Sequence, residues 1–145
     1  MSDNLSIGKK ILAAQPFSIL MKSELISIEP GKVELKTPIT DEVKQQYGFV
    51  HGGVLGYAAD NALTFAGASS LGVPCVSSEY KINFVRPALG DYLLARAESI
   101  YTGRTQSVCR CDIYVVNDGI EKLCATAQGT IVKLAEEKNK PLTHV

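Results

Sequence analysis

Residues 51–68 constrain the fold of this chain more than any other stretch. They begin with a histidine and two glycines and continue as small and apolar residues, among which Asp60, Asn61 and Thr64 are the strongly polar members. Because a helix of this composition is apolar on nearly every side, we expect it to be buried. A carboxylate in that setting is destabilising unless it is paired, hydrogen-bonded or neutralised. Asp60 is therefore either a satisfied structural residue or a reacting group.

The two glycines place backbone donors at the start of this helix. The N–H groups of Gly52 and Gly53 have no intrahelical carbonyl to bond, and another molecule's oxygen can approach them closely because no side chain intervenes. The positive end of the helix dipole lies at the same point. We therefore expect the helix start to polarise a carbonyl group or to hold an oxyanion.

The spacing between Gly52 and Asp60 predicts a dimer if the motif is catalytic. The two residues are eight positions apart, which corresponds to about 12 Å along a helix axis. One helix therefore cannot bring both groups to the same reacting atom. Two antiparallel copies that meet at a two-fold axis can place Gly52 of one subunit near Asp60 of the other.

The chain resembles the hotdog-fold acyl-CoA thioesterases, in the branch typified by the phenylacetic-acid-degradation thioesterase, over residues 17–134. The resemblance rests on the His-Gly-Gly triplet at 51–53, the spacing to Asp60, the apolar helix and the Asn-Phe-Val-Arg-Pro run at 83–87. It implies hydrolysis of acyl-CoA in a homodimer at minimum, and usually in a homotetramer. It also implies that the N–H of Gly52 polarises the thioester carbonyl and that the partner subunit's helix aspartate attacks it or activates water.

One polar position departs from the pattern of that family, and a second one can match it. Where the family often carries an asparagine that positions the nucleophilic water, this chain has Gln45. A glutamine can do the same from one methylene further away. The family's other polar partner is a serine early in the second strand, and either Ser77 or Ser78 can fill that place. Because neighbouring strand residues point to opposite faces, register decides between them, and we favour Ser77.

Further residues are candidates for substrate binding. Arg86 at a strand end and Arg104 after a turn present cationic side chains for coenzyme A, because strand ends and loops expose side chains to ligands. Along the helix we expect the acyl group to pass Tyr57 and Phe65 in a mostly apolar slot. The remaining candidates for substrate contact are Gly53 and Asn61.

His51 has two possible roles, and the site as a whole has two rival functions. The ring is either a general base or a structural residue that aims the backbone of Gly52. Paired with Asp60, it can be imagined in a hydratase or dehydratase that acts on acyl thioesters. A non-catalytic acyl-CoA-binding module is the other alternative, and in that case Asp60 is dispensable.

The chain has 145 residues, 46% of them hydrophobic, and a formal net charge of zero. We predict one domain over residues 1–145, with an N-terminal helical segment over 1–16 and a flexible tail over 135–145. Zero net charge gives no electrostatic reason to bind nucleic acid or an anionic membrane. No apolar run reaches the ~20 residues of a membrane span, and residues 1–4 do not resemble a signal peptide. We therefore expect a cytoplasmic protein.

The other motifs argue against several chemistries. No GxSxG, GxGxxG or P-loop pattern occurs, which disfavours serine-hydrolase, dinucleotide and nucleoside-triphosphate chemistry. The cysteines form no CxxC pair, and we interpret Cys109, Cys111 and Cys124 as small core residues, with a metal site as the alternative. We predict that these three and Cys75 are reduced, and that the protein uses neither a metal nor a redox cofactor.

Hydrophobic alternation and turn residues predict an α+β fold. Consecutive strands with short turns favour an antiparallel meander, and a curved sheet wrapped around one long central helix buries both apolar surfaces. The predicted elements are a helix over 5–14, a hairpin over 24–38 that turns at 30–31, a turn or short helix over 41–47, the central helix ending around 69–72, and strands over 75–86, 91–101, 104–116 and 120–134.

Overall fold

The computed structural model describes residues 3–135, and its central element is one long helix against the concave face of a six-stranded antiparallel sheet. This arrangement confirms the predicted α+β class and the curved sheet around a central helix. The helices are α1 (Asp3–Ala13), α2 (Pro16–Met21) and α3 (Gly52–Leu71), with a 3-10 turn at Asp41–Val43. The strands are β1 (Glu24–Glu29), β2 (Lys32–Pro38), β3 (Cys75–Phe84), β4 (Tyr92–Thr102), β5 (Gln106–Asn117) and β6 (Ile120–Lys133).

Helix α3 is bounded and buried as its sequence predicts. His51 caps its first turn, and Gly72 ends it in the left-handed conformation with φ +73°. Small residues allow the helix and the sheet to approach closely. At Gly67 an added Cβ would lie 2.6 Å from the Cβ of Ile131 on β6, so only glycine fits there.

The predicted meander is wrong at β3. The observed strand order is β1-β2-β4-β5-β6-β3, so β3 pairs with β6 at the far edge and does not pair with β4. The connection between β3 and β4, residues 85–91, crosses the end of the sheet past two strands, a span of about 14 Å. Turn residues indicate where a strand ends, but the strand's neighbour is decided by which sheet edge is free.

The N-terminal segment contains one helix that the sequence reading missed. The predicted helix over 5–14 corresponds to α1, but Pro16 then opens α2 because proline is well tolerated in the first turn of a helix. Among residues 3–135, no helix is long and apolar enough to span a membrane. All of the predicted flexible tail except Ala135 lies outside the described residues.

Three cysteines belong to the core, as predicted. Cys109, Cys111 and Cys124 are fully buried free thiols in β5 and β6. Cys75, at the start of β3, is only partly buried. The sheet therefore uses cysteine in these two strands as a small apolar residue.

Candidate active site

The first turn of α3 is organised by the ring of His51. Its Nδ1 accepts a hydrogen bond of 2.8 Å from the N–H of Gly53, and its carbonyl accepts one of 2.9 Å from the N–H of Val54. Because Nδ1 is an acceptor, the neutral ring carries its proton on Nε2. The His51 side chain is thus a helix cap in this structure, and the N–H of Gly53 is already engaged.

The N–H of Gly52 remains available at the same helix start. Within residues 3–135 it has no hydrogen-bond partner. It opens into a cleft of about 390 Å³ whose lining includes Phe84 and Arg86. An added Cβ at Gly52 would lie 3.3 Å from Cζ of Phe84, so the missing side chain leaves room for a ligand atom beside the donor. Backbone donor and dipole together suit a carbonyl oxygen that gains negative charge.

The crossover between β3 and β4 brings Arg86 to this cleft. Its backbone is held by β6, where the carbonyl of Cys124 accepts bonds from the N–H groups of Val85 (2.9 Å) and Arg86 (3.3 Å). Ala88 then accepts a 3.1 Å bond from the N–H of Val50, directly before α3. The exposed Arg86 side chain therefore stands on a segment tied to both the sheet and the helix start.

Asp60 lies near the middle of α3 and is partly buried. Its backbone carbonyl accepts a 2.8 Å hydrogen bond from Oγ1 of Thr64. Its carboxylate forms no hydrogen bond or ion pair with any residue in the range 3–135 and can be reached from outside the subunit. Because α3 is continuous from Gly52 onward, the two groups remain about 12 Å apart along its axis.

Tyr57 and Asn61 face the N-terminal segment and form hydrogen bonds with it. The hydroxyl of Tyr57 donates to Ser18 at 2.7 Å, and Nδ2 of Asn61 donates to Ser18 at 3.1 Å and to Oε1 of Gln15 at 3.2 Å. The ring of Phe17 packs edge-on against Tyr57 with centroids 5.0 Å apart. These two candidates for substrate contact thus anchor α2 and the connection before it on the helix that carries Asp60.

The side chain of Gln45 is bonded within its own turn, whereas Ser77 faces α3. Oε1 of Gln45 accepts from the N–H of Tyr47 within its own turn, which leaves the Gln45 amide as a donor. Ser77 is opposite Ile131, and since paired residues share a face and Ile131 packs on Gly67, Ser77 faces α3. Ser78 occupies a bulge and donates to the carbonyl of Thr130 at 3.2 Å.

Arg104 lies at the opposite end of α3 from Gly52. It is exposed in the connection between β4 and β5, beside Thr102, whose hydroxyl bonds that of Ser70 at 2.5 Å. Ser70 and Gly52 are separated by about 27 Å along the helix. Within one subunit the fold therefore brings Arg86, and not Arg104, to the cleft at Gly52.

The sequence reading missed a groove of about 620 Å³ between α1 and α3. Ile7 and Ile11 line it from α1, and both are about half exposed. Their spacing of four residues places them on one face of α1. That exposed apolar stripe was the available signal, but its position opposite α3 depends on the fold.

Both the sequence and the fold of this chain are similar to those of known proteins. The thioesterase superfamily model matches residues 47–122. Acyl-coenzyme A thioesterase 13 of Homo sapiens is 31% identical over 77% of this chain and 80% of its own length. A thioesterase family protein from Silicibacter pomeroyi superimposes with a TM-score of 0.83 at 32% identity, covering 89% of this chain and 96% of its own. The E. coli PaaI protein from the phenylacetic acid degradation operon superimposes with a TM-score of 0.78 at 26% identity, covering 90% and 96%.

Proposed function

This chain belongs to the thioesterase superfamily and is a thioester hydrolase with the hotdog fold, and on that premise we propose that it hydrolyses acyl-coenzyme A thioesters. The name of the human relative, an acyl-coenzyme A thioesterase, supports coenzyme A as the thiol that is released. One observation carries the proposal. The free N–H of Gly52 and the unpartnered carboxylate of Asp60 stand on one buried helix, too far apart to act within a single subunit.

In the proposed mechanism each active site is shared between two subunits. The thioester carbonyl oxygen accepts a hydrogen bond from the N–H of Gly52 at the positive end of α3. Asp60 of the other subunit then attacks the carbonyl carbon, or removes a proton from a water that attacks it. The oxyanion collapses, the carbon–sulfur bond breaks, and coenzyme A leaves as a thiolate that takes up a proton.

The two routes differ only in what remains on the enzyme. Attack by Asp60 leaves a mixed anhydride, which water hydrolyses to the free acid and the original carboxylate. Attack by water gives the free acid directly. Neither route needs a metal or a redox cofactor, because no electron is transferred and the backbone donor takes the place of a Lewis acid.

The edge strand β3 supports pairing of two subunits. Within residues 3–135 no strand covers its outer side. Its apolar residues Val76 and Phe84 are 42% and 56% exposed, and such an exposed edge is a ready site for strand pairing. Pairing two β3 strands antiparallel brings two α3 helices alongside each other in opposite directions. The dimer is the minimum the mechanism needs, and the homotetramer that the resemblance implies stays a prediction.

Arg86 is the residue we assign to the phosphates of coenzyme A. It shares the cleft with Gly52, so a thioester held on that N–H directs its coenzyme A portion past the guanidinium. Guanidinium groups bind phosphate through paired N–H donors.

The cap formed by His51 supports a positioning role for that ring. In the same dimer His51 would also lie near Asp60 of the other subunit, so measured thiol release, and not this geometry, distinguishes a hydrolase from a hydratase.

The first test measures thiol release from aryl-acetyl, benzoyl and straight-chain acyl-CoA substrates. We expect wild type to turn over at least one of them, and Asp60→Asn to lose about a hundredfold or more in kcat while keeping its fold and dimer. Asp118→Asn makes the same chemical change at the tip of the β5–β6 hairpin and should keep full activity. Binding of acyl-CoA without thiol release by wild type would contradict the proposal and favour a binding module.

Mixed dimers test whether the site is shared. Gly52→Pro removes the N–H donor at the first position of α3, where proline is compatible with the helix. Gly52→Ala keeps the donor and adds a side chain to the same space, so the difference between the two variants reports the loss of the donor. Gly52→Pro and Asp60→Asn should each be inactive alone. After unfolding and refolding together, about half of the dimers are mixed and each contains one intact site, so about a quarter of wild-type activity should return. No recovery would mean that both groups act within one subunit.

A further inference from the structure

The groove between α1 and the C-terminal half of α3 begins beside the catalytic helix position. Its lining includes Asn61 and Thr64, and Thr64 is bonded to the backbone of Asp60 at 2.8 Å. Gln15, in the connection between α1 and α2, lines the same end and accepts a hydrogen bond from Asn61 at 3.2 Å. The groove therefore has a polar mouth at residues 61–64 of α3, within about one turn of Asp60 along the helix.

Beyond the mouth the groove becomes apolar. Ile7 and Ile11 face it from α1, Phe65 and Ala68 face it from α3, and Val73 lies near its end. Among the described residues that line it, none carries a charge. Such a surface excludes the phosphates of coenzyme A and accommodates a hydrocarbon.

The apolar wall on α1 is exposed in the single subunit although the helix is firmly seated. Gly8 lies so close to β1 that an added Cβ would be 2.5 Å from Cδ2 of Leu25, and Leu12 is buried beneath the helix. Ile7 and Ile11 nevertheless remain 55% and 50% exposed. Because α1 packs on β1 and the connection that follows it is bonded to Asn61 through Gln15, the two isoleucines are held opposite α3 without touching the core.

The length of the groove corresponds to a straight alkyl chain. From Thr64 to Gly72, which both line it, α3 rises by about 12 Å. An extended alkyl chain advances about 1.3 Å per carbon for bonds of about 1.5 Å. The groove therefore takes about nine carbons beyond the mouth, considerably more than a benzoyl group needs.

We propose that this groove binds the acyl chain of the substrate and that the side chains of Ile7 and Ile11 limit the length of chain that fits. The preferred substrates are then straight-chain acyl-CoA thioesters of about ten to twelve carbons. The inference rests on the proposed function, since it assigns the acyl group of the thioester that Gly52 and Asp60 process. It makes α1, which lies outside the strand-and-helix core, the element that determines specificity. The reacting groups and the specificity residues then lie on different elements and can be altered separately.

A graded pair of substitutions tests this assignment. Ile11 lies four residues and Ile7 eight residues before Gln15 at the mouth, and the two are one turn of α1 apart, so tryptophan at each position should block the groove at a different depth. We expect Ile7→Trp to lower kcat/KM for dodecanoyl-CoA about tenfold and to leave octanoyl- and butyryl-CoA unchanged. Ile11→Trp should lower both dodecanoyl- and octanoyl-CoA and leave butyryl-CoA unchanged. Ile19→Trp, on α2 and 61% exposed, adds the same bulk outside the groove and is the matched control.

Alkylation of Cys75 supplies a second measurement that does not depend on turnover. Cys75 lines the far end of the groove, and it is the only one of the four thiols that is not fully buried. Burial raises its pKa, so N-ethylmaleimide is applied in mildly alkaline buffer. In Asp60→Asn, dodecanoyl-CoA at four times its Kd should slow the reaction about fivefold. Butyryl-CoA at the same saturation should not slow it, because its chain ends near the mouth.

The outcomes separate this inference from the proposed function. If wild type hydrolyses acyl-CoA but the tryptophan variants keep its chain-length profile and no acyl-CoA protects Cys75, the acyl chain lies elsewhere and the inference fails while the function stands. If wild type releases no thiol from any substrate, the proposed function fails. If Ile7→Trp and Ile11→Trp change the sedimentation of the oligomer and leave the profile intact, a second copy of the chain covers the groove, and that result also overturns the inference.

Discussion

The two halves of α3 use glycine for opposite purposes. In the second half, Gly67 lets the helix backbone approach the sheet so closely that an added Cβ would be 2.6 Å from the Cβ of Ile131. In the first half, added Cβ atoms at Gly52 and Gly56 would meet only the far ends of side chains, the ring of Phe84 at 3.3 Å and the hydroxyl of Tyr80 at 3.1 Å. Glycine is thus required by the core in one half and leaves space beside a backbone donor in the other. Glycine in this helix therefore allows close packing against the sheet at one end and access to a backbone donor at the other.

The largest stability effect expected from this comparison comes from Gly67→Ala. The new methyl group has no space, because Cβ, Cγ1 and Cγ2 of Ile131 all lie within 2.8 Å of its position and belong to a buried, β-branched residue. We expect the free energy of unfolding to fall by about 3 kcal/mol, measured by urea denaturation. A stability equal to that of wild type would show that α3 and β6 are further apart than described here.

An intermediate effect is expected at His51. Replacing it with alanine removes the acceptor for the N–H of Gly53 and should lower the free energy of unfolding by about 1 kcal/mol. We also expect kcat to fall about tenfold, because the N–H of Gly52 is less precisely aimed. His51→Asn restores a favourable cap residue. If the ring only positions the helix start, this variant recovers both stability and most of the activity. Recovery of stability alone would assign the imidazole a direct chemical role.

The smallest effect is expected from Gly56→Ala, which is the matched control for Gly67→Ala. The added methyl group meets only the hydroxyl of Tyr80, the end of a side chain that is 38% exposed and can move aside. Alanine also favours a helix over glycine by about 1 kcal/mol. We therefore expect unfolding in urea to change by less than about 1 kcal/mol in either direction. A loss as large as that of Gly67→Ala would remove the distinction between the two halves of α3.

Local sequence predicted most elements of the fold because their signals are short-range. The β5–β6 hairpin turns at Asp118 and Gly119, which both have positive φ, in the short gap between the predicted strands over 104–116 and 120–134. Val33 and Leu35 alternate with charged neighbours along β2, and both are buried. The position of β3 at the far edge beside β6 was predicted wrongly. Alternation marks which face of a strand is buried, but it carries no information about the strand's neighbour.

The candidate site likewise has parts that the sequence predicted and parts that only the structure revealed. The start of α3, its glycines and the isolated carboxylate of Asp60 were recognisable from composition and spacing within twenty residues. Tyr57 and Asn61 were predicted to contact substrate, yet they bond Ser18 and Gln15 of the N-terminal segment. Those partners are more than thirty positions away along the chain, so no local pattern could indicate them.

The sequence alone thus determined a buried helix with backbone donors at its start and a carboxylate two turns on, because both features follow from residue type and helical rise. The structure decided that Gly52 keeps a free donor and that the carboxylate of Asp60 has no partner among residues 3–135. Only the tertiary structure decided that the β3–β4 crossover brings Arg86 to that donor and that α1 is held opposite α3 across an apolar groove. The physical reason is the distance along the chain over which each effect acts. Helical periodicity and capping act over a few residues, whereas strand order and helix packing depend on which apolar surfaces the whole chain can bury together.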